Sequence, residues 1–392
     1  SAQLEKGYRR PRHLAQNPQH LGGPSNNLLD CRGHGLGTAA EISPTCIERL
    51  TGMTMTPKAF TALAGVTVVA VVAALASVAG QLGSADPSRI EQPMLAGFED
   101  RVNSVSGLSV QTTDDKFSVV QTEKGWVVSA KGGYPAEREH VRRFLLQLSQ
   151  LTLVEPKTKM VDRYARIQVE DVDTKDAKSS LLSLNDADGV VAQLIVGKKK
   201  SNMAGGTGKG VYVRKEGEAQ AWLARGELDL RKTVIGWLDK DVLDIDEKRI
   251  KRITVTSPTG DILVVSRDDP EKGKLAVQDV PTASKLKKDA LDGFGAAISG
   301  VKLTDVVPFS GANFPSEKVT WTEVVSFDGL VIVLGLVDSE NGIWARMEAS
   351  SSSDAGKAEA EKINSRVAGW AYQIPDFKFR PLLKKMADLL ED

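Results

Sequence analysis

The sequence predicts an α+β protein: tandem duplicated units of mostly antiparallel sheet, each with a covering helix, preceded by one transmembrane helix. Three observations carry this expectation. An uncharged run from Ala59 to Gln81 has the length of a bilayer-crossing helix. Downstream of it, one pattern of short β-type segments and an amphipathic stretch occurs twice in the same order. Both copies carry Asp-Gly at a matching turn, Asp188-Gly189 and Asp328-Gly329, where a tight hairpin needs positive φ. The expected organisation is a leader (1–52), an anchor (53–85), a first unit (86–247) and a second unit ending in a helix (248–392).

Residues 1–52 have no apolar periodicity and are rich in Gly, Pro, Asn, Arg and His. Such a stretch buries too little apolar surface to offset its chain entropy. It reads as a disordered leader or as sequence upstream of the natural start, the first methionine being Met53. The apolar run after it is longer than the roughly 7–15 residues of a signal-peptide core, which favours a retained anchor. A cleaved signal peptide is the competing reading, with small-residue triplets at Ala74-Leu75-Ala76 and Ser77-Val78-Ala79. Lys58 before the run and Asp86, Glu91, Glu99 and Asp100 after it orient the N-terminus inward. The expectation is a single-pass protein of a bacterial inner membrane, held by residues 59–81, with its body in the periplasm.

The first unit opens with LSVQ at 108–111, then Phe117–Val120 and Trp126–Val128 around Glu123-Lys124-Gly125. Pro135 leads a predicted helix whose stripe is Val141, Phe144, Leu145, Leu148 and Leu151. LTLVEP (151–156), Leu181–Leu184, Val190–Val196 and Gly210–Arg214 complete the unit as strands. The second unit repeats this with ITVT (253–256), Ile262–Val265 and Leu275–Val277. Pro281 leads a second predicted helix through Leu286, Ala290, Phe294, Ala297 and Ile298. VKLTDVVP (301–308), Glu323–Phe327, Leu330–Leu334 and Gly342–Arg346 come next as strands. Trp237 to Asp246 reads as the connector. Pro381 starts a predicted terminal helix with Leu382, Leu383, Met386, Leu389 and Leu390.

Composition excludes several chemistries. With 51 basic and 51 acidic residues the net charge is zero, without the basic surplus that nucleic-acid binding requires. Both cysteines (Cys31, Cys46) and three histidines (His13, His20, His34) precede the apolar run, which leaves His140 alone in the body. No Cys/His metal, haem or iron–sulfur site can be built there, and no cofactor is implied. A Ser-His-Asp arrangement would need His140, which EREHVRRF places on the solvated face of an amphipathic helix. The stretch GKKKSNMAGGTGKG (197–210) lacks the Ser/Thr of a phosphate-binding loop and precedes a strand, so it reads as a mobile hairpin loop. The tryptophans Trp126, Trp222, Trp237, Trp321, Trp344 and Trp370 read as core or half-buried packing. Arg214 and Arg346 end equivalent strands and are the candidate contacts to an anionic ligand or partner, structural ion pairs being the alternative.

A resemblance adds to this. Gly125-Trp126-Val127-Val128, Tyr134-Pro135-Ala136, Tyr164-Ala165-Arg166, Gly210 to Arg214, and Gln220-Ala221-Trp222-Leu223 leading to Trp237-Leu238-Asp239 resemble the bacterial domain of unknown function 4340. The likeness covers roughly residues 90–310. It implies membrane-anchored proteins that accompany gliding-motility-type ABC transporters, and it brings no catalytic residues. The expected function is a non-enzymatic accessory subunit of an ABC-type transporter or related envelope complex. The alternative is a periplasmic ligand-binding module that uses the cleft between the two units.

Overall fold

A computed structural model describes residues 65–74, 91–203, 208–340 and 342–391. The chain divides after Leu82 into two compact units. In the first, residues 65–74 form a helix (α1) whose side chains are all exposed. The expected leader and the flanks of the 59–81 run lie outside the described residues. Among the described residues no helix is long and apolar enough to cross a membrane.

The second unit is built on two large antiparallel sheets. The first comprises β1 (Gln92–Pro93), β2 (Gly107–Gln111), β3 (Lys116–Thr122), β4 (Gly125–Val128), β5 (Tyr134–Pro135), β6 (Thr152–Thr158), β7 (Ser180–Asp186), β8 (Gly189–Lys200), β9 (Gly210–Lys215) and β10 (Ala221–Arg225). Its spatial order is β1-β6-β10-β9-β8-β7-β2-β3-β4-β5. Next in the chain is β11 (Asp241–Leu243). The second large sheet contains β12 (Ile250–Thr256), β13 (Ile262–Ser266) and β14 (Ala276–Val277). After β15 (Val301–Lys302) it continues with β16 (Asp305–Pro308), β17 (Thr320–Ser326), β18 (Leu330–Ser339), β19 (Gly342–Ser351) and β20 (Trp370–Ile374). Its order is β14-β13-β12-β17-β18-β19-β20-β16, which runs through the chain as β4-β3-β2-β7-β8-β9-β10-β6 does in the first sheet. β11 and β15 pair separately and stitch the connector to the second half.

Strand alternation sets the core. In β7, β8 and β9 the residues Leu182, Leu184, Leu194, Val196, Val211 and Val213 point inward and are buried. In the second sheet Leu330, Ile332, Leu334, Leu336, Ile343 and Ala345 do the same. One hydrophobic core runs through both halves. Fully burying each such side chain contributes roughly 1.5–3 kcal/mol.

Helices are fewer than the pattern suggests. Two single turns, α2 (Phe98–Arg101) and, later, α4 (Tyr164–Ile167), flank the substantial α3 (Arg138–Ser149). α3 buries Val141, Phe144, Leu145 and Leu148 as the stripe requires. It starts three residues after Pro135, which lies in β5 instead. A further turn, α5 (Val234–Trp237), leads to the connector. The helix expected from Pro281 does not form. Its apolar residues Ala290, Phe294, Ala297 and Ile298 are buried, but on turns and a 3-10 segment (Gly295–Ile298). The reason is local: Lys287 N–H donates to the Leu389 carbonyl at 2.8 Å, in extended pairing, and Gly293 has φ +85° where Pro381 presses against it. The helix of the second half is α6 (Asp354–Val367), capped by the Ser353 hydroxyl, which accepts from Gly356 N–H. After a single turn, α7 (Asp376–Phe379), the terminal helix expected from Pro381 is likewise broken, into a 3-10 turn (Arg380–Leu383) and α8 (Met386–Leu389). Its Leu382 and Leu389 are fully buried in the common core.

Candidate binding site

The two halves meet in packed aromatic contacts. Tyr134 of β5 stands edge-on to Trp370 and Tyr372 of β20, with ring centroids 5.0 and 6.0 Å apart. Burial pushes the Tyr134 hydroxyl up to about 12. Trp237 is fully buried, stacks edge-on against Phe144 at 5.2 Å, and donates its indole N–H to the Arg231 carbonyl at 2.8 Å. At these residues the junction is packed by side chains, and each of the three cavities described draws its lining from one half.

His140 is not on a solvated face. It is fully buried on α3, its ring 4.7 Å from that of Trp237. Its Nε2 has no hydrogen-bond partner among the described residues, and Nδ1 lies 3.7 Å from an Asp229 carboxylate oxygen. Burial, reinforced by the Arg231 charge, pushes the imidazole down to about 4, so it is neutral at pH 7. A helix period places a residue on a face, but the width of the buried face here includes one position that sequence periodicity gives to solvent. Of the stretch 197–210, residues 197–200 end β8 and Gly210 opens β9, so a strand and not a helix comes after it, and a phosphate site is not completed there. Among the described residues no cluster of His, Cys, Asp or Glu is arranged to hold a metal ion.

Arg214 and Arg346 occupy the same place in their sheets. In the first, Gln111, Leu181, Ile195 and Arg214 are consecutive cross-strand partners on β2, β7, β8 and β9. In the second, Thr256, Trp321, Gly335 and Arg346 are partners on β12, β17, β18 and β19. Both rows lie on the face opposite the common core. Their surroundings differ.

Arg214 is 4% exposed. The segment after β6 lies across it. Its Nε donates to the Val169 carbonyl and NH1 to the Glu218 carbonyl, both at 3.0 Å, while NH2 pairs with Asp171. The guanidinium lies over the Tyr164 ring at 4.7 Å. Tyr164, Val169, Ile195 and Ala221 form a small separate core around it. The Tyr164 hydroxyl donates to the Ala219 carbonyl. Arg214 is thus held at all three of its nitrogens by its own chain.

Arg346 lies over the rings of Trp321 (4.5 Å) and Phe309 (5.3 Å). It has no hydrogen bond or ion pair among the described residues. It lines a cavity of about 440 Å³ with Phe309, Trp321, Glu348, Asn364 and Trp370 among the walls. Asn364 is spent on structure: its amide accepts from Ala349 N–H and donates to the Ala349 carbonyl, both at 2.8 Å. Gly335 makes the stack possible, because a Cβ there would meet Arg346 Cγ and Nε at 3.1 Å and Trp321 at 3.2 Å. Across the Phe309–Phe314 ring pair (5.4 Å), a second cavity of about 710 Å³ opens beside Trp344 and Val337.

Trp321, Phe309 and Gly335 are site residues that the sequence patterns do not single out as such. A signal for Trp321 is present: it shares strand parity with Glu323, which marks an outward face, and it is 38% exposed. Phe309 carries no such signal, since it is placed by a loop that folds back over the sheet. No curated protein and no solved structure matches the chain. One family model does, described as a domain of unknown function, over residues 126–318, from the Trp126-Val127-Val128 strand to the end of the Phe309 loop. That family is DUF4340, and the match covers just under half of the chain.

Proposed function

We propose that this protein is a non-enzymatic, membrane-tethered binding protein, an accessory subunit of an ABC-type transporter or related complex of the bacterial inner membrane. Residues 59–81 serve as the single-pass anchor and the two-sheet body stands in the periplasm. The body is a tandem duplication, a reading supported by the matching strand orders and by the equivalent rows that end in Arg214 and Arg346. The observation that carries a binding role is the contrast between these rows. One arginine is sealed by its own chain, and the other is left open beside exposed aromatic surface.

The test is a mild-detergent pull-down of the intact protein from its native membranes, with mass spectrometry of bait and prey. Co-purification of transporter subunits with bait that retains residues 59–81 is the expected result. Bait cleaved near Ser77 and free of membrane partners would overturn it.

A further inference from the structure

We infer that the Arg346 cavity receives a single acidic side chain carried on a peptide segment of a partner protein. The inference rests on the accessory-subunit reading and names the chemistry of the contact.

The first half shows what satisfies an arginine at this place in the sheet. There the occupant is a stretch of backbone, which brings a carbonyl (Val169) and a carboxylate (Asp171) to the guanidinium while a ring lies over it. In the second half the ring component is already present as Phe309 and Trp321, and the acceptors are missing. A guanidinium stacked on rings keeps its N–H donors at the edge, where a carboxylate meets them as a bidentate partner. The wall is apolar apart from Arg346, Glu348 and the already bonded Asn364, so it suits a peptide with apolar neighbours around its acid. Glu348 lies two residues along the same strand face, and it disfavours a second carboxylate and admits a neutral or basic neighbour.

The molecule itself suggests the probe: a fluorescent, end-blocked heptapeptide of residues 167–173 with Glu170→Gln and Asp173→Asn, which keeps Asp171 as its only acid. It is titrated into the full-length protein in mild detergent. Saturable binding is expected, weakened about tenfold or more by Asp171→Asn in the peptide or Arg346→Gln in the protein. Arg346→Lys, which keeps the charge without the fork, should recover only part of the affinity. Equal affinity for the Asn peptide, no binding at millimolar concentration, or full displacement by an equal concentration of acetate would each overturn the inference. The thermal transition of each variant is monitored so that an unfolded protein is not scored as a non-binder. Arg346→Gln protein that loses the peptide yet still recovers a membrane complex refutes the site and leaves the accessory reading standing. Peptide binding without any recovered complex does the reverse.

Discussion

The two sheets share a strand order and a cross-strand row, yet one row is a small core and the other lines a cavity. The difference lies in the connections that leave the equivalent strands β6 and β16. After β6, residues 159–179 cross the outer face and deliver Tyr164, Val169 and Asp171 to Arg214. After β16, residues 309–319 deliver Phe309 to Arg346 and then turn away into β17. The sheet supplies the arginine, and the loop decides whether it is structural or available. The difference in availability is thus set in a connection and not in the strands, as expected where a rigid scaffold presents variable loops.

The largest test of this contrast is Arg214→Ala. It strands the buried Val169 carbonyl, frees the part-buried Glu218 carbonyl and removes the cation over Tyr164, so about 2–3 kcal/mol of stability should be lost in urea unfolding. Arg346→Ala should cost no more than about 1 kcal/mol, the worth of its ring contacts, and a cost near that of Arg214→Ala would erase the distinction. The helix that only the first half carries after its opening strands gives a second test. Buried His140 has a folded-state value of about 4, below the ordinary 6.5, so unfolded chains take up a proton that the native form refuses. Stability is therefore full above about pH 6.5 and declines as the pH falls toward 4, by up to about 3 kcal/mol. His140→Leu should flatten that part of a melting-temperature profile, and an unchanged slope would assign it to other groups.

Gly335→Ile makes the second row resemble the first, where Ile195 stands. Crowding of Arg346 and Trp321 should cost about 1–2 kcal/mol and alter the Trp321 environment in fluorescence. A small effect is also expected of Asp171→Ala. That carboxylate is two-thirds exposed, so its loss should cost about 0.5–1 kcal/mol and leave Arg214 held by its two carbonyls.

Much of the sheet architecture is legible in the sequence because alternation and turn residues are local. β2, β3, β7 to β9 and their later counterparts fall where alternating apolar residues and Asp-Gly turns put them. The stretch 281–298 misleads because its apolar spacing records burial correctly but not backbone conformation. There, tertiary pairing with Leu389 and the kink at Gly293 override the period. α6 escapes detection because DAGKAEAEKINSRV is mostly polar and buries only Gly356, Ala360 and Val367. The equivalence of Arg214 and Arg346 can be read from strand order. Their unlike surroundings cannot, since these depend on loops that return across the sheet from far along the chain.

The span shared with the family, residues 126–318, does not coincide with any part that could stand by itself. It enters at β4 and stops short of β17, so it omits β1, β2 and β3 from the first sheet and β17 to β20 from the second. A chain trimmed to that span would present raw sheet edges at both breaks, inviting intermolecular strand pairing. What is inherited as one recognisable stretch of sequence is thus not what folds as one body. Laboratory truncation should respect the strand ladder, not the limits of sequence likeness.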